Sequence, residues 1–250
     1  MQIVGNIMLK NLKRGGPVQN FYYGQGYLPT IATGEGIYLY DTTGKKYLDA
    51  SSGPVTCNLG HGNKVVLEAI KAQSEKVCFA SYSFFENEPN KMLSEQLINF
   101  SGPNFDQAFF VSGGSEAIEA AFKLARQYAI AKGERDRFKV IARSPSYHGS
   151  TMGAFAASSD PEMDNTFQQM VKILPKVSAP FSYRLPKNHT PETFARRCID
   201  EFESLIIEEG PETILAFIIE PVGGLATGAL TAPDIYYSEI RKICTKYGVI

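Results

Sequence analysis

From residue 105 onward the chain repeats one pattern: a short apolar run, a loop rich in glycine and small polar residues, then a segment with helical spacing. Residues 105–111 lead into Ser112-Gly113-Gly114-Ser115 and an alanine-rich helix. Residues 138–142 lead into a loop at 144–151, and ILAFIIEPV at 214–222 leads toward a helix over 236–247. Short, mainly apolar runs between helices, wholly apolar at 214–219, are the mark of strands buried on both faces, which is how parallel sheets are built. The expectation is an α/β chain with a mainly parallel central sheet and helices on both faces. Ligands in such sheets gather where strands end, so the loops at 112–115, 144–151 and 220–224 should open on one edge.

The remaining elements follow from local signals. Residues 37–40 and 46–48 flank Asp41-Thr42-Thr43-Gly44 and predict a β-hairpin. Asn63 is placed to cap a helix over 63–77, with Val66, Ile70 and Val77 on one face, and a second helix starts near Pro89. In the helix after Ser115 the inner face would be Ile118, Ala121, Phe122, Ala125 and Tyr128. Residues 160–190, rich in Pro, Ser and Asn, read as a long excursion. Residues 193–207 return to a helix with Phe194, Cys198, Phe202, Leu205 and Ile206 inside, and Gly248-Val249-Ile250 reads as a strand beginning.

Composition excludes several function classes. Net charge is −1, so no field favours nucleic acid or an anionic membrane surface. The longest apolar run falls far below the roughly 20 residues of a membrane span. At the N-terminus the basic residues follow the apolar ones, the reverse of an export signal. Cys57, Cys78, Cys198 and Cys244 make no CxxC pair, and His61, His148 and His189 have no metal-ligand spacing. Reduced thiols in a cytoplasmic protein are expected, with no metal.

Three loops carry the chemistry. VSGGSEAIEAAFKLARQY delivers a glycine-rich turn into a helix, whose free N–H groups and positive dipole end can hold a phosphate with help from Ser115. The alternative is a tight turn with Ser115 as a cap, the helix dipole being met by Glu116 and Glu119. In the second loop Tyr147 can lie on a flat heteroaromatic ligand, or be a core tyrosine; His148 beside it reads as a structural hydrogen-bonding residue. In the third loop Glu220 ends an apolar strand, where an acid is costly unless it is paired; the alternative is a solvated acid on the sheet edge. A phosphate pocket, a stacking ring and an acid suit a planar phosphorylated cofactor better than a nucleotide.

The order GEGIYLYDTTGKKYLDASSG, NLGHGN, SGGSEAIEAAFKLAR, SYHGSTMGA, AFIIEPVGG and YGVI resembles class III aminotransferases of the fold-type-I pyridoxal-phosphate enzymes, from about Gly34 to the last residue. The resemblance implies pyridoxal 5'-phosphate as cofactor, with Gly114 and Ser115 on its phosphate, Tyr147 stacked on its ring beside His148, and Glu220 close to the ring. It implies a segment at Phe84 and Phe85 directed to a partner subunit, and hence a homodimer with its active site at the interface. Tyr22, Tyr23 and residues 51–55 are candidates for the substrate side, against simple packing.

The resemblance also implies a ring-nitrogen Asp and a Schiff-base lysine beyond Ile250, so no catalytic residue is assigned within the chain. It implies an N-terminal segment, 1–60, belonging to a small domain, and a large cofactor-binding domain, 61–250, incomplete at its C-terminal end. The implied activity is transamination between an amine or amino acid and a keto acid such as pyruvate or 2-oxoglutarate. Other reactions of the same family remain open (aminomutase, decarboxylating transaminase, racemase or lyase), as does a non-catalytic anion-binding α/β protein.

Overall fold

The structure is a computed structural model that describes residues 28–159, 167–183, 185–224 and 226–250. Tyr22 and Tyr23 lie outside the described residues. Two compact units divide the chain, 1–103 and 104–250.

In the first unit an antiparallel sheet runs β1 (Ile31–Glu35), β2 (Tyr38–Asp41), β3 (Lys46–Leu48). The expected hairpin is β2–β3, and its turn is locked by one carboxylate. Asp41 accepts from Thr43 N at 2.8 Å, Thr43 Oγ1 at 2.6 Å, Lys45 N at 3.0 Å and Tyr47 Oη at 2.8 Å. Gly44 sits at φ +85°, the left-handed backbone this turn needs. β1 has no period-2 apolar pattern, and the hairpin read from the sequence did not include it. Three helices follow: α1 (Ser52–Val55), α2 (Lys64–Ser74) and α3 (Glu88–Ser101). Asn63 does cap α2, accepting from Val66 N at 3.2 Å. Val66, Ile70 and Val77 are all exposed within this unit, and Val77 falls beyond the helix end.

The second unit carries α4 (Gly114–Ala131), β4 (Lys139–Ser144), α5 (Met152–Ala157), β5 (Lys176–Ser178), α6 (Pro191–Glu209), β6 (Ile214–Ile218) and α7 (Asp234–Tyr247). Its sheet is parallel in the order β5-β4-β6. Strand periodicity sorts the two faces. Ile141 and Ile214 pack with Cys198, Phe202 and Ile206 of α6 and with Tyr236, Ile240 and Ile243 of α7. Their neighbours Val140 and Leu215 turn the other way, onto Phe122, Ala125 and Ala129 of α4. Helices therefore cover both faces of a parallel sheet, as expected.

Four details differ from expectation. Residues 105–111 are not a strand. β5 lies inside the supposed excursion, too short at three residues to show a period. Along α4, Tyr128 and Ala121 are exposed and Ala129 takes the inner position, in line with Ile118, Phe122 and Ala125 at helical spacing. Residues 248–250 are not a strand, yet Ile250 N donates to Leu215 O at 3.1 Å and Ile250 O accepts from Phe217 N at 2.9 Å, which lays the chain along the free edge of β6.

Candidate functional site

β4 and β6 run side by side in the same direction, so their C-terminal ends deliver the 144–151 loop and Glu220 to the same edge. Glu220 joins them. Its Oε2 accepts from Tyr147 N at 3.2 Å and its Oε1 from Gly224 N at 3.0 Å. The acid is thus a bonded brace between two loops, not a free group on the sheet edge.

Tyr147 is 50% exposed. Backbone bonds hold the residue while its ring stays open to solvent, so it is not a core tyrosine. His148 is the reverse, only 8% exposed, with its N–H donating to Ser158 Oγ at 2.8 Å and its Nε2 meeting no partner among the described atoms. Burial lowers its pKa from the ordinary 6.5, against the opposing pull of Glu220. The imidazole is therefore neutral at pH 7.

The glycine-rich turn reaches the same loop from α4. Ser115 Oγ accepts from Ser150 N at 3.0 Å and does not cap its own helix. A Cβ on Gly114 would meet nothing within 4 Å, so the first turn of α4 faces open space with its backbone N–H groups. Glu116 keeps a carboxylate at this mouth, with Oε2 only 2.8 Å from where a Gly113 Cβ would stand. Glu119 is turned away and does another job. Its Oε1 accepts from Thr151 Oγ1 at 2.7 Å, Gly153 N at 3.0 Å and Ala154 N at 3.3 Å, capping α5 from a different helix. Those bonds, Thr151's foremost, hold its pKa below the usual range.

Three contributors escaped the reading of the sequence. Arg143 is 1% exposed and donates through Nη2 to Glu220 O at 2.5 Å, with Nε unpartnered among the described residues. Its signal was a lone cation ending an apolar strand. Glu119 looked like a first-turn acid and is a cross-brace. Gly149 has φ +139°, and a Cβ there would stand 2.5 Å from Ser115 Oγ and 2.9 Å from Ala154 Cβ. Only glycine lets the two loops meet.

Gly114, Ser115, Tyr147, His148 and Glu220 are thus brought together. A groove of about 340 Å³ lined by Phe155, Ser159, Lys172 and Lys176 includes none of them. Phe84 and Phe85 belong to the first unit, 81% and 65% exposed, with ring centroids 6.4 Å apart.

Comparison with known proteins decides the family. Residues 22–250 match the model of the family described as aminotransferase class-III.

The chain belongs to the class-III aminotransferase family.

An uncharacterized aminotransferase, YodT, of Bacillus subtilis (strain 168) is 40% identical over 223 residues, which cover 89% of this chain and 50% of that protein. The gamma aminobutyrate transaminase 3, chloroplastic, of Solanum lycopersicum is 37% identical over 224 residues, covering 88% of this chain and 43% of that one. Among solved structures, an omega transaminase from Pseudomonas jessenii in complex with PMP superposes with a TM-score of 0.87 at 32% identity, covering 93% of this chain and 53% of that one. The fold is therefore that of the fold-type-I transaminases. This class-III aminotransferase chain spans about half the length of the curated relatives it matches. No helix among its described residues is long and apolar enough to cross a membrane.

Proposed function

We propose that this chain is the cofactor-binding part of a pyridoxal 5'-phosphate-dependent transaminase that exchanges an amino group between an amine or amino acid and a keto acid such as pyruvate or 2-oxoglutarate. The observation that supports the reading is the pair of contacts Ser115–Ser150 and Tyr147–Glu220, which bring the glycine-rich turn, an exposed aromatic ring and an acid to one loop.

The residues fit such a group in kind. The open first turn of α4 and Ser115 would hold the phosphate, Tyr147 would offer a face to the ring, and His148 and Glu220 would fix the loop that carries Tyr147. When bound, the cofactor's ring supplies an electron sink for the substrate's α-carbon. The chain's own part is positional. Arg143 holds the Glu220 carbonyl, Glu220 holds the Tyr147 backbone, and Glu119 fixes the loop just beyond Ser150. Glu116 must swing aside when an anion enters, which its exposed position allows. The ring-nitrogen acid and the Schiff-base lysine belong, on this reading, to chain beyond Ile250. A small domain that includes residues 1–60, and a homodimer to which Phe84 and Phe85 contribute, complete the proposal.

Pyridoxamine phosphate, which cannot form adventitious Schiff bases, is the probe. Calorimetric titration of the purified chain should show saturable binding, weakened about tenfold by Ser115→Ala, the loss of one hydrogen bond to a charged group. Tyr147→Ala should weaken it by a similar factor. Binding indifferent to both changes, or no binding by the folded chain, overturns the assignment. Transamination by a longer polypeptide carrying this chain, read as keto-acid-dependent amine exchange, tests the reaction itself.

A further inference from the structure

The four cysteines of this chain sit in very different surroundings. Cys198 and Cys244 are buried, and burial pushes both thiols up, Cys198 to about 11, which leaves them inert. Cys78 is exposed, with its thiol 3.4 Å from the Ser74 carbonyl. Cys57 alone among them meets a base. Its Sγ lies 3.4 Å from His61 Nδ1, and the other ring nitrogen, Nε2, lies 2.9 Å from Asp49 Oδ2.

The tautomer follows from the partners. Asp49 is a carboxylate, its pKa lowered chiefly by the His61 hydrogen bond, so in the neutral ring the proton belongs on Nε2 and the Nδ1 lone pair faces the sulfur. The imidazole is held on every side. His61 exchanges backbone hydrogen bonds with Gly36 at 2.8 and 2.9 Å, and a Cβ on Gly34 would stand 2.8 Å from the ring's Cγ. Asp49 is in turn held by Gly53 N at 3.4 Å. Nucleophile, base and orienting acid thus form one hydrogen-bonded chain within the first unit. The thiol remains half-buried, so a small reagent reaches it and a bulky one is hindered.

We propose that Cys57, with His61 and Asp49, is a base-activated thiol that reacts with small hydroperoxides. His61 takes the thiol proton, and the sulfur attacks the distal peroxide oxygen. An S–O bond forms, the O–O bond breaks, and the proton passes to the departing oxygen. The products are a sulfenic acid and water or an alcohol; the sulfur is oxidised by two electrons and the peroxide reduced by two.

The test is a competition inside one molecule. The purified chain is treated with limiting hydrogen peroxide and dimedone, or with iodoacetamide, and each cysteine is followed by peptide mass mapping. Cys57 should be labelled about tenfold faster than the more exposed Cys78, and His61→Gln or Asp49→Asn should slow Cys57 by a similar factor while leaving Cys78 unchanged. Exposure without activation predicts the opposite order. Cys57 reacting no faster than Cys78 overturns the proposal even if the variants misfold, and a Cys57 rate unmoved in a folded Asp49→Asn protein overturns the role of the triad.

Discussion

His148 shows how one residue couples the site to solution conditions. Burial lowers its pKa, so between the folded value and 6.5 the unfolded chain binds more protons than the folded one. Stability from the neutral ring is complete above about pH 6.5 and is lost as pH falls through that range. Denaturant midpoints measured at pH 7.5 and 5.5 should therefore drop toward acid, and the drop should shrink in His148→Gln, which keeps a polar side chain without the titration. A variant whose midpoint falls as steeply as the parent's would place the titrating group elsewhere. Asp41 works in the same direction at lower pH. Its side-chain bond from Thr43, above all, holds it at about 2, so its contribution is present above the ordinary carboxylate range and lost only in strong acid. The two residues act in separate windows, and the first concerns only the second unit.

At the scale of elements, loops define this site and the sheet merely delivers them. Three distant side chains help to hold the 144–151 loop: Glu220 at Tyr147, Ser115 at Ser150 and Glu119 at Thr151. Gly149→Ala attacks the Ser115 contact, since its new Cβ would overlap Ser115 at φ +139°. Overpacking of this kind costs about 1–3 kcal/mol, and it should also abolish pyridoxamine phosphate binding, whereas Ser115→Ala should weaken binding with little change in the denaturant midpoint. Equal effects of the two changes on stability would mean that the loops are not pressed together at this point. This geometry also explains what the sequence revealed. β4 and β6 were legible because each is an apolar run of strand length, and Ser115, Tyr147 and Glu220 because each stands just after such a run. Residues 105–111 have the same appearance and are not a strand, since pairing depends on a neighbour that composition cannot show. Arg143, Glu119 and Gly149 act on groups 32 or more positions away, and no local period records such a contact.

Across the whole of the second unit, the two faces of the sheet are unequally closed. On one, α6 and α7 seal a continuous core in which Phe202 stacks on Phe217 with centroids 4.3 Å apart. On the other, α4 covers the strands with little more than Ala129, Phe122 and Ala125, while Leu124, Tyr128 and Ile130 of the same helix stay exposed. Buried apolar area sets local opening free energy, so α4 should open well before α6. Hydrogen exchange followed by mass spectrometry should find the amides of α6 and β6 protected up to the global unfolding limit, and those of α4 exchanging through a lower-energy opening. Pyridoxamine phosphate binds at the mouth of α4 on the reading above, so it should raise protection there. Because a ligand stabilises only the state that binds it, every opening that destroys the site becomes costlier by RT ln(1 + [L]/Kd), so α4, the 144–151 loop and the globally exchanging amides of α6 all gain, and the gap between α4 and α6 persists. Uniform protection of both helices would show that the second unit opens as one body, and that the thinly covered face is as firmly closed as the other.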